Sequence, residues 1–303
     1  MKKVVFLLLF AAMPFVVSAQ DEAAADKPAS NWTKGGNTSL TFNQISFKNW
    51  AAGGKNSVTG TFLFKTFANY KTEMQTWDNT LDLGYGMTKY KDEDLQKSED
   101  KIMLSSTYGY NAYKQKLYYS ANADFKSQFT KGYKYTATDT IYVSEAFAPA
   151  YINLSLGLLY KPNDVFSLFV SPVTGHLTIV NDTTLSTSYG VDANKKLRSE
   201  YGASAKLNIN KKDIVKNVDF YLRADFFSNL CDNPQHIDVD AETGLNFTIN
   251  KFLSSYIKCN FLFDDDIKYK ESYIDADGNS AIRDRGARLQ FKELFGFGIS
   301  FKW

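Results

Sequence analysis

Apolar and polar residues alternate along most of the chain. From Val58 to Tyr70 the even positions carry Val58, Phe62, Phe64, Ala68 and Tyr70, while Thr59, Thr61, Lys65 and Asn69 fall between them. From Trp77 to Met87 the odd positions are apolar, set against Asp78, Thr80 and Asp82. The same period returns at Ile102–Tyr110, Leu117–Phe125, Ile152–Tyr160, Phe166–Val170, Tyr201–Ile209, Val218–Phe226, Val239–Ile249, Ile257–Phe263 and Phe291–Trp303. Side chains along a strand point to opposite faces in turn, so each segment predicts a strand with one apolar, aromatic face and one polar face. A first strand near Ser39–Phe47, whose parity shifts at Gln44–Ile45 and predicts a bulge, brings the count to twelve.

Most of these segments exceed the ~5–6 residues of an ordinary strand and reach the ~9–11 residues that a tilted strand needs to cross a bilayer. Short connections (Lys71–Gln75, Tyr113–Lys114, Lys161–Asn163, Lys211–Lys216, Asn250–Leu253) alternate with longer ones. The longer ones are Asn49–Asn56, Lys91–Glu99, Lys131–Ala148, Thr174–Leu197, Asn229–His236 and Asp265–Gly286. A soluble sandwich also alternates its faces, but short turns on one side and longer loops on the other are the habit of a transmembrane barrel. The expectation is an all-β, closed antiparallel transmembrane β-barrel of about twelve strands, with both termini on the periplasmic side. The last strand carries Phe295, Phe297, Ile299, Phe301 and Trp303 up to the final residue, which resembles the membrane-insertion signal of bacterial outer-membrane barrels. Trp77, Tyr70, Tyr160, Tyr256 and Trp303 near strand ends fit interfacial girdles.

The N-terminus reads as an address. Met1-Lys2-Lys3 precedes an apolar run from Val4 to Val17, closed by Ser18-Ala19. This is a signal peptide over 1–19, too short and too broken by Pro14 to span as a helix. A flexible periplasmic leader over 20–36 and the barrel over 37–303 complete the expected organisation. Localisation is then the cell outer membrane, with outer-membrane lipid and the barrel-assembly machinery as expected partners.

Composition sharpens this reading. The 303 residues carry 35 Lys+Arg against 33 Asp+Glu, a net charge of +2 that gives no field for nucleic acid. A mean hydropathy of −0.33 suggests a soluble protein, yet 24 Phe, 19 Tyr and 4 Trp are an unusual aromatic load. A lipid-facing set averaged with a polar lumen and polar loops reconciles the two. Cys231 and Cys259 fall in a loop and a strand, so no disulfide is expected, and with only two His no metal site or cofactor is expected.

The inward register places Asp82, Asp124, Asp219, Asp225, Asp240 and Glu242 on the lumen wall with Lys126, Arg223, Lys258, Arg288 and Lys292. Charge there must be hydrated or paired. The leading reading is a narrow pore or binding site for small polar solutes, in which Asp240 and Glu242 bias passage toward cations. The alternative is a non-conducting scaffold or accessory subunit of an envelope assembly or secretion complex, with envelope proteins as partners. No enzymatic activity is expected: His176 and His236 are the only candidate bases, His236 in the turn-forming Asn233-Pro234-Gln235-His236, and no G-x-S-x-G sequence occurs. Asp275-Ala276-Asp277-Gly278-Asn279 is half of a calcium loop. Its twelfth position is Gly286 rather than an acid, so it reads as a turn.

Several stretches carry a family resemblance: Asn31-Trp32-Thr33-Lys34-Gly35-Gly36, Asn49-Trp50-Ala51-Ala52-Gly53-Gly54, Trp77-Asp78-Asn79-Thr80-Leu81-Asp82-Leu83, Ser171-Pro172-Val173-Thr174-Gly175 and Phe291-Lys292-Glu293-Leu294-Phe295-Gly296. Together they resemble the Bacteroidetes family catalogued as Domain of Unknown Function 3078. The resemblance implies an outer-membrane location in a Gram-negative cell and supplies no catalytic residues.

Overall fold

The computed structural model describes residues 30–46, 55–91, 93–135, 139–265, 268–274 and 280–303. The expected signal peptide, the stretch Asn49–Gly54 and the Asp275–Asn279 turn lie outside the described residues. Among the described residues sixteen strands follow one another. The first five are β1 (Trp32–Ile45), β2 (Ser57–Lys71), β3 (Gln75–Tyr90), β4 (Leu95–Tyr113) and β5 (Leu117–Ser127). A small hairpin, β6 (Gly132–Tyr135) and β7 (Thr140–Ser144), precedes β8 (Ala150–Tyr160) and β9 (Phe166–Ile179). After a 3-10 turn, Thr183–Tyr189, come β10 (Leu197–Val215), β11 (Val218–Asn229), β12 (Ile237–Thr248) and β13 (Leu253–Phe263). A second small hairpin, β14 (Lys268–Ile274) and β15 (Ser280–Ala287), leads to β16 (Gln290–Lys302).

Twelve of these strands close into one antiparallel barrel in the order β1-β16-β13-β12-β11-β10-β9-β8-β5-β4-β3-β2. Closure removes both sheet edges, so backbone groups are satisfied by neighbours all round. The first and last strands form the seam, where Asn37 to Thr41 pair with Lys302 to Gly298. Gly36 and Trp303 extend it by reciprocal backbone hydrogen bonds of 3.1 and 3.2 Å. Higher up, Asn43 Nδ2 donates to Phe295 O at 3.1 Å.

The outward positions are those the alternation predicts. Leu154, Leu156, Leu158 and Tyr160 on β8 are exposed, as are Phe291, Phe295, Phe297, Ile299, Phe301 and Trp303 at the C-terminus. At the short-turn end Trp32 packs on Tyr70 and Trp77 with ring centroids 5.2 and 5.8 Å apart, and Phe64 packs on Trp303. Trp77 also donates through Nε1 to Ser106 Oγ at 2.9 Å. These rings form one aromatic rim.

The structure corrects several expectations. β1 begins at Trp32, so Trp32–Gly36, expected in the leader, pair with Tyr70–Thr66 of β2. No bulge interrupts Gln44–Ile45; β1 and β2 pair without a shift from Trp32 to Ile45. The expected loop Lys91–Glu99 is mostly strand, because β3 and β4 continue as a long hairpin to Tyr90 and Leu95. The expected Lys211–Lys216 turn is likewise a continuation of β10, tightened to Lys216–Asn217 after a register shift. Pairs such as Thr88↔Gln96 and Lys211↔Phe220 persist beyond the alternating segments because backbone pairing does not require an apolar face.

Two long connections build a cap on one end. Ala148, Val180, Leu185 and Val191 bury one another against Tyr142 and Tyr189. Tyr189 Oη donates to Val143 O at 2.7 Å, and burial pushes the Tyr189 phenol up to about 12. Asp182 caps the 3-10 turn: its Oδ1 accepts from Thr184 N and Oγ1 at 2.9 and 2.7 Å. Those bonds hold its carboxyl below the usual range.

Candidate functional site

Charged residues meet in the lumen, whose wall is made of alternate positions on the barrel strands. β4 and β12 face each other, six places apart in the ring of twelve. Lys101 on β4 donates to Asp82 Oδ2 of neighbouring β3 at 2.6 Å and reaches across to Glu242 Oε2 of β12 at 3.3 Å. Asn260 Nδ2 donates to the same Glu242 oxygen at 3.0 Å. Beside this pair Lys126 of β5 donates to Asp240 Oδ2 of β12. Arg223 of β11 sits between Asp225 (Nε to Oδ2, 3.3 Å) and Asp240 (Nη2 to Oδ1, 3.6 Å).

Two further groups extend the network. Lys206 of β10 donates to Asp124 Oδ2 of β5 and, at 3.2 Å, to Asn122 Oδ1; Ser105 Oγ donates to Asp124 Oδ1 at 2.6 Å. Glu99 of β4 accepts Lys292 of β16 at 2.6 Å and lies 3.7 Å from Lys258 of β13. Lys65 of β2 lies over the Tyr221 ring of β11, 5.6 Å from its centre. Paired this way, each charge offsets the desolvation cost of its partner, which an isolated ion could not do. The bonds also join opposite walls, so side chains occupy the middle of the lumen.

A second layer lies toward the short-turn end. Tyr118, Leu159 and Phe169 stand side by side on β5, β8 and β9 and are almost fully buried. Tyr118 Oη donates to Gln115 O at 2.7 Å, which anchors the ring at the turn. Tyr256 also points inward, its Oη 3.5 Å from Thr41 Oγ1. This corrects its expected place in the interfacial girdle.

Most of the expected lumen residues fall into three groups of contacts: Asp82 and Glu242 meet on Lys101; Lys126, Asp240, Arg223 and Asp225 form a chain that Lys206 carries on to Asp124; and Lys258 and Lys292 meet on Glu99. Asp219 stands apart near the short-turn end, 3.5 Å from Lys302 and accepting from Asp213 N at 3.1 Å. Arg288 lies exposed in the link between β15 and β16. The inward register also includes Lys101 and Lys206 but names no partner for either; it misses Glu99, which falls in an expected loop, and it misses the apolar cluster. The parity of β5 points Tyr118 inward beside Ser120 and Asn122, but Leu158-Leu159-Tyr160 is apolar at every position and conceals which residue faces in.

The two histidines have ordinary surroundings. His176 Nδ1 lies 2.5 Å from Asn153 Oδ1, and the ring stacks on Phe227 at 5.1 Å. His236 closes the expected turn through its backbone N to Asn233 O, and its Nδ1 lies 2.8 Å from Asp265 Oδ2. Both cysteines are free thiols. Among the described residues no cluster of His, Cys, Asp and Glu has the form of a metal site.

With this geometry in place, the chain can be set beside known proteins. The model of the family described as protein of unknown function (DUF3078) matches residues 42–133. Among curated proteins nothing matches. Solved structures that resemble it include the translocator domain of the autotransporter NalP from Neisseria meningitidis, at 11% identity and a TM-score of 0.38, covering 92% of this chain and 90% of that one. An outer membrane channel from Pseudomonas putida F1 gives 8% identity and a TM-score of 0.38 over 94% of this chain and 100% of that one. In-vitro folded OmpT, an outer membrane protein of Vibrio cholerae, gives 9% and 0.30 over 90% and 97%.

Proposed function

We propose that this chain is an outer-membrane β-barrel of a Gram-negative cell whose lumen is closed at rest, and that it serves as a non-conducting scaffold in the envelope. The observation that carries the reading is the bond from Lys101 to Glu242 between opposite walls, backed by the buried layer of Tyr118, Leu159 and Phe169. Membrane insertion is supported by the exposed apolar face around the ring and the aromatic rim, which water would penalise and hydrocarbon would not. Export by the signal peptide and recognition of the Phe295–Trp303 strand by the barrel-assembly machinery belong to the same reading, and enzymatic activity does not. With the lumen filled, envelope partners would meet the cap built on Val180, Leu185 and Tyr189.

A gated passage for small polar solutes is the second reading. The observation that favours it is that the central layer is made of ion pairs, which can exchange partners as an apolar layer cannot. Gel migration tests membrane insertion: the chain refolded in lipid vesicles is expected to run at a different apparent mass before and after boiling. Identical migration under both conditions contradicts it.

A further inference from the structure

The barrel wall is uneven on one side. Register shifts occur on both flanks of β9: between Leu156 and Leu158 against β8, and between Gly202 and Ser204 against β10. The irregular residues are Ser171-Pro172-Val173-Thr174, where Pro172 lacks an N–H and so cannot donate to a ladder. Two glycines admit the close approach. A Cβ on Gly157 would lie 2.1 Å from Val170 O, and one on Gly202 would lie 1.9 Å from Ser228 O.

Beside these shifts lies a groove of about 760 Å³ on the outer, lipid-facing side. That volume falls in the ~300–1,000 Å³ range of ligand pockets. Its walls are Leu158, Val170, Pro172, Ala203, Ala205 and Phe226. The groove crosses β8 to β11 and ends at Ile237, the first residue of β12. Gly157 lies near the short-turn end of β8, whereas Ile237 lies at the opposite rim. The groove therefore climbs from within the bilayer to the loop-side surface.

Its floor offers nothing polar to a ligand. Thr174 Oγ1 lies 2.9 Å from Ser155 Oγ, 3.1 Å from Ser171 Oγ and 2.7 Å from Ser204 Oγ. Ser171 Oγ lies 2.8 Å from Leu156 O. The hydroxyls at the break in the wall thus satisfy one another, and the surface left facing the groove is hydrocarbon.

We propose that this groove holds one acyl chain of a bilayer lipid, entering from the loop-side leaflet at Ile237 and lying along the wall toward Gly157. The inference rests on the membrane reading above. In a bilayer the groove must be filled, because a void forfeits contacts on its lining. A linear, wholly apolar occupant that begins at headgroup level and descends into hydrocarbon matches its course. The small side chains of Ala203 and Ala205 supply the depth.

The test is native mass spectrometry of the full barrel, refolded in dipalmitoylphosphatidylglycerol vesicles and extracted in mild detergent. Wild type is expected to carry one retained lipid per chain. The double variant Ala203→Trp/Ala205→Trp, which fills the groove, is expected to lose it. Ala121→Trp/Ala123→Trp, on the outward face of β5 away from the groove, should keep it. A wild-type spectrum without lipid, equal retention in the groove variant, or a second chain bound in place of lipid would each overturn the proposal. The wild-type result stands without any variant folding. Heat-dependent migration of the same samples separates the two failures: a barrel that inserts but retains no lipid sinks only the groove, whereas one that does not insert sinks the membrane reading.

Discussion

Asp240 and Glu242 illustrate what one residue reveals in the sequence and what it hides. Alternation along Val239–Phe247 places both on the polar face of their strand, and the structure finds them on the lumen wall. Their partners were not legible. Lys126 is 114 positions away and Lys101 is 141, and they meet these carboxylates only because the ring closes with β4 opposite β12. Tyr256 erred in the other direction: a tyrosine near a strand end suits a girdle, but its neighbours set it inward, beside Thr41. Parity decides the face and residue type does not. The expected cation preference set by Asp240 and Glu242 presumes free carboxylates, whereas both are engaged by cationic side chains. At this scale Glu242→Gln should weaken the bonds from Lys101 and Asn260 and destabilise the barrel by roughly 2 kcal/mol, the order of a hydrogen bond to a charged group. Urea unfolding from vesicles would measure it, and an unchanged midpoint would show the cross-lumen contact to be energetically idle.

Strands were the most legible elements. Each alternating segment became a barrel strand, since a half-buried pleated surface demands a period of two. The ends were less so, for β3, β4 and β10 run on into polar residues where no apolar alternation marks them. The hairpins β6–β7 and β14–β15 were hidden for a related reason: they are two-stranded additions within long connections, with strands of four to eight residues, too short for a period to stand out. Strand β9 was visible in the alternation of Phe166–Val170, but its irregular part showed only as the stretch Ser171-Pro172-Val173-Thr174-Gly175, without a reason for it. Its backbone supplies that reason, since Gly157 lets Val170 O come close. Gly157→Ala is therefore expected to force a backbone shift and cost about 1–3 kcal/mol, the usual penalty of overpacking. The same change at Gly175, where an added Cβ would meet only Tyr201 Cε1 at 3.9 Å, should be nearly neutral. Matched unfolding curves would reveal equal losses if the close approach were of no consequence.

For the molecule as a whole, an even number of strands and an aromatic C-terminal strand announced a closed ring, and β1 does meet β16. Whether that ring encloses a passage depends on how side chains from distant strands meet in its centre, which no local pattern encodes. Lys101, Lys126 and Lys206 fill that centre with ion pairs between strands that are not neighbours, and Tyr118, Leu159 and Phe169 form a buried apolar cluster nearer the short-turn end. The mean hydropathy that suggested a soluble protein averages this filled, charged interior with an apolar exterior. Single-channel recording of the wild-type barrel in a planar lipid bilayer tests the closed lumen most directly. A closed lumen predicts a folded, inserted protein that passes no resolved current. Stable, stepwise conductance from the same protein would contradict it.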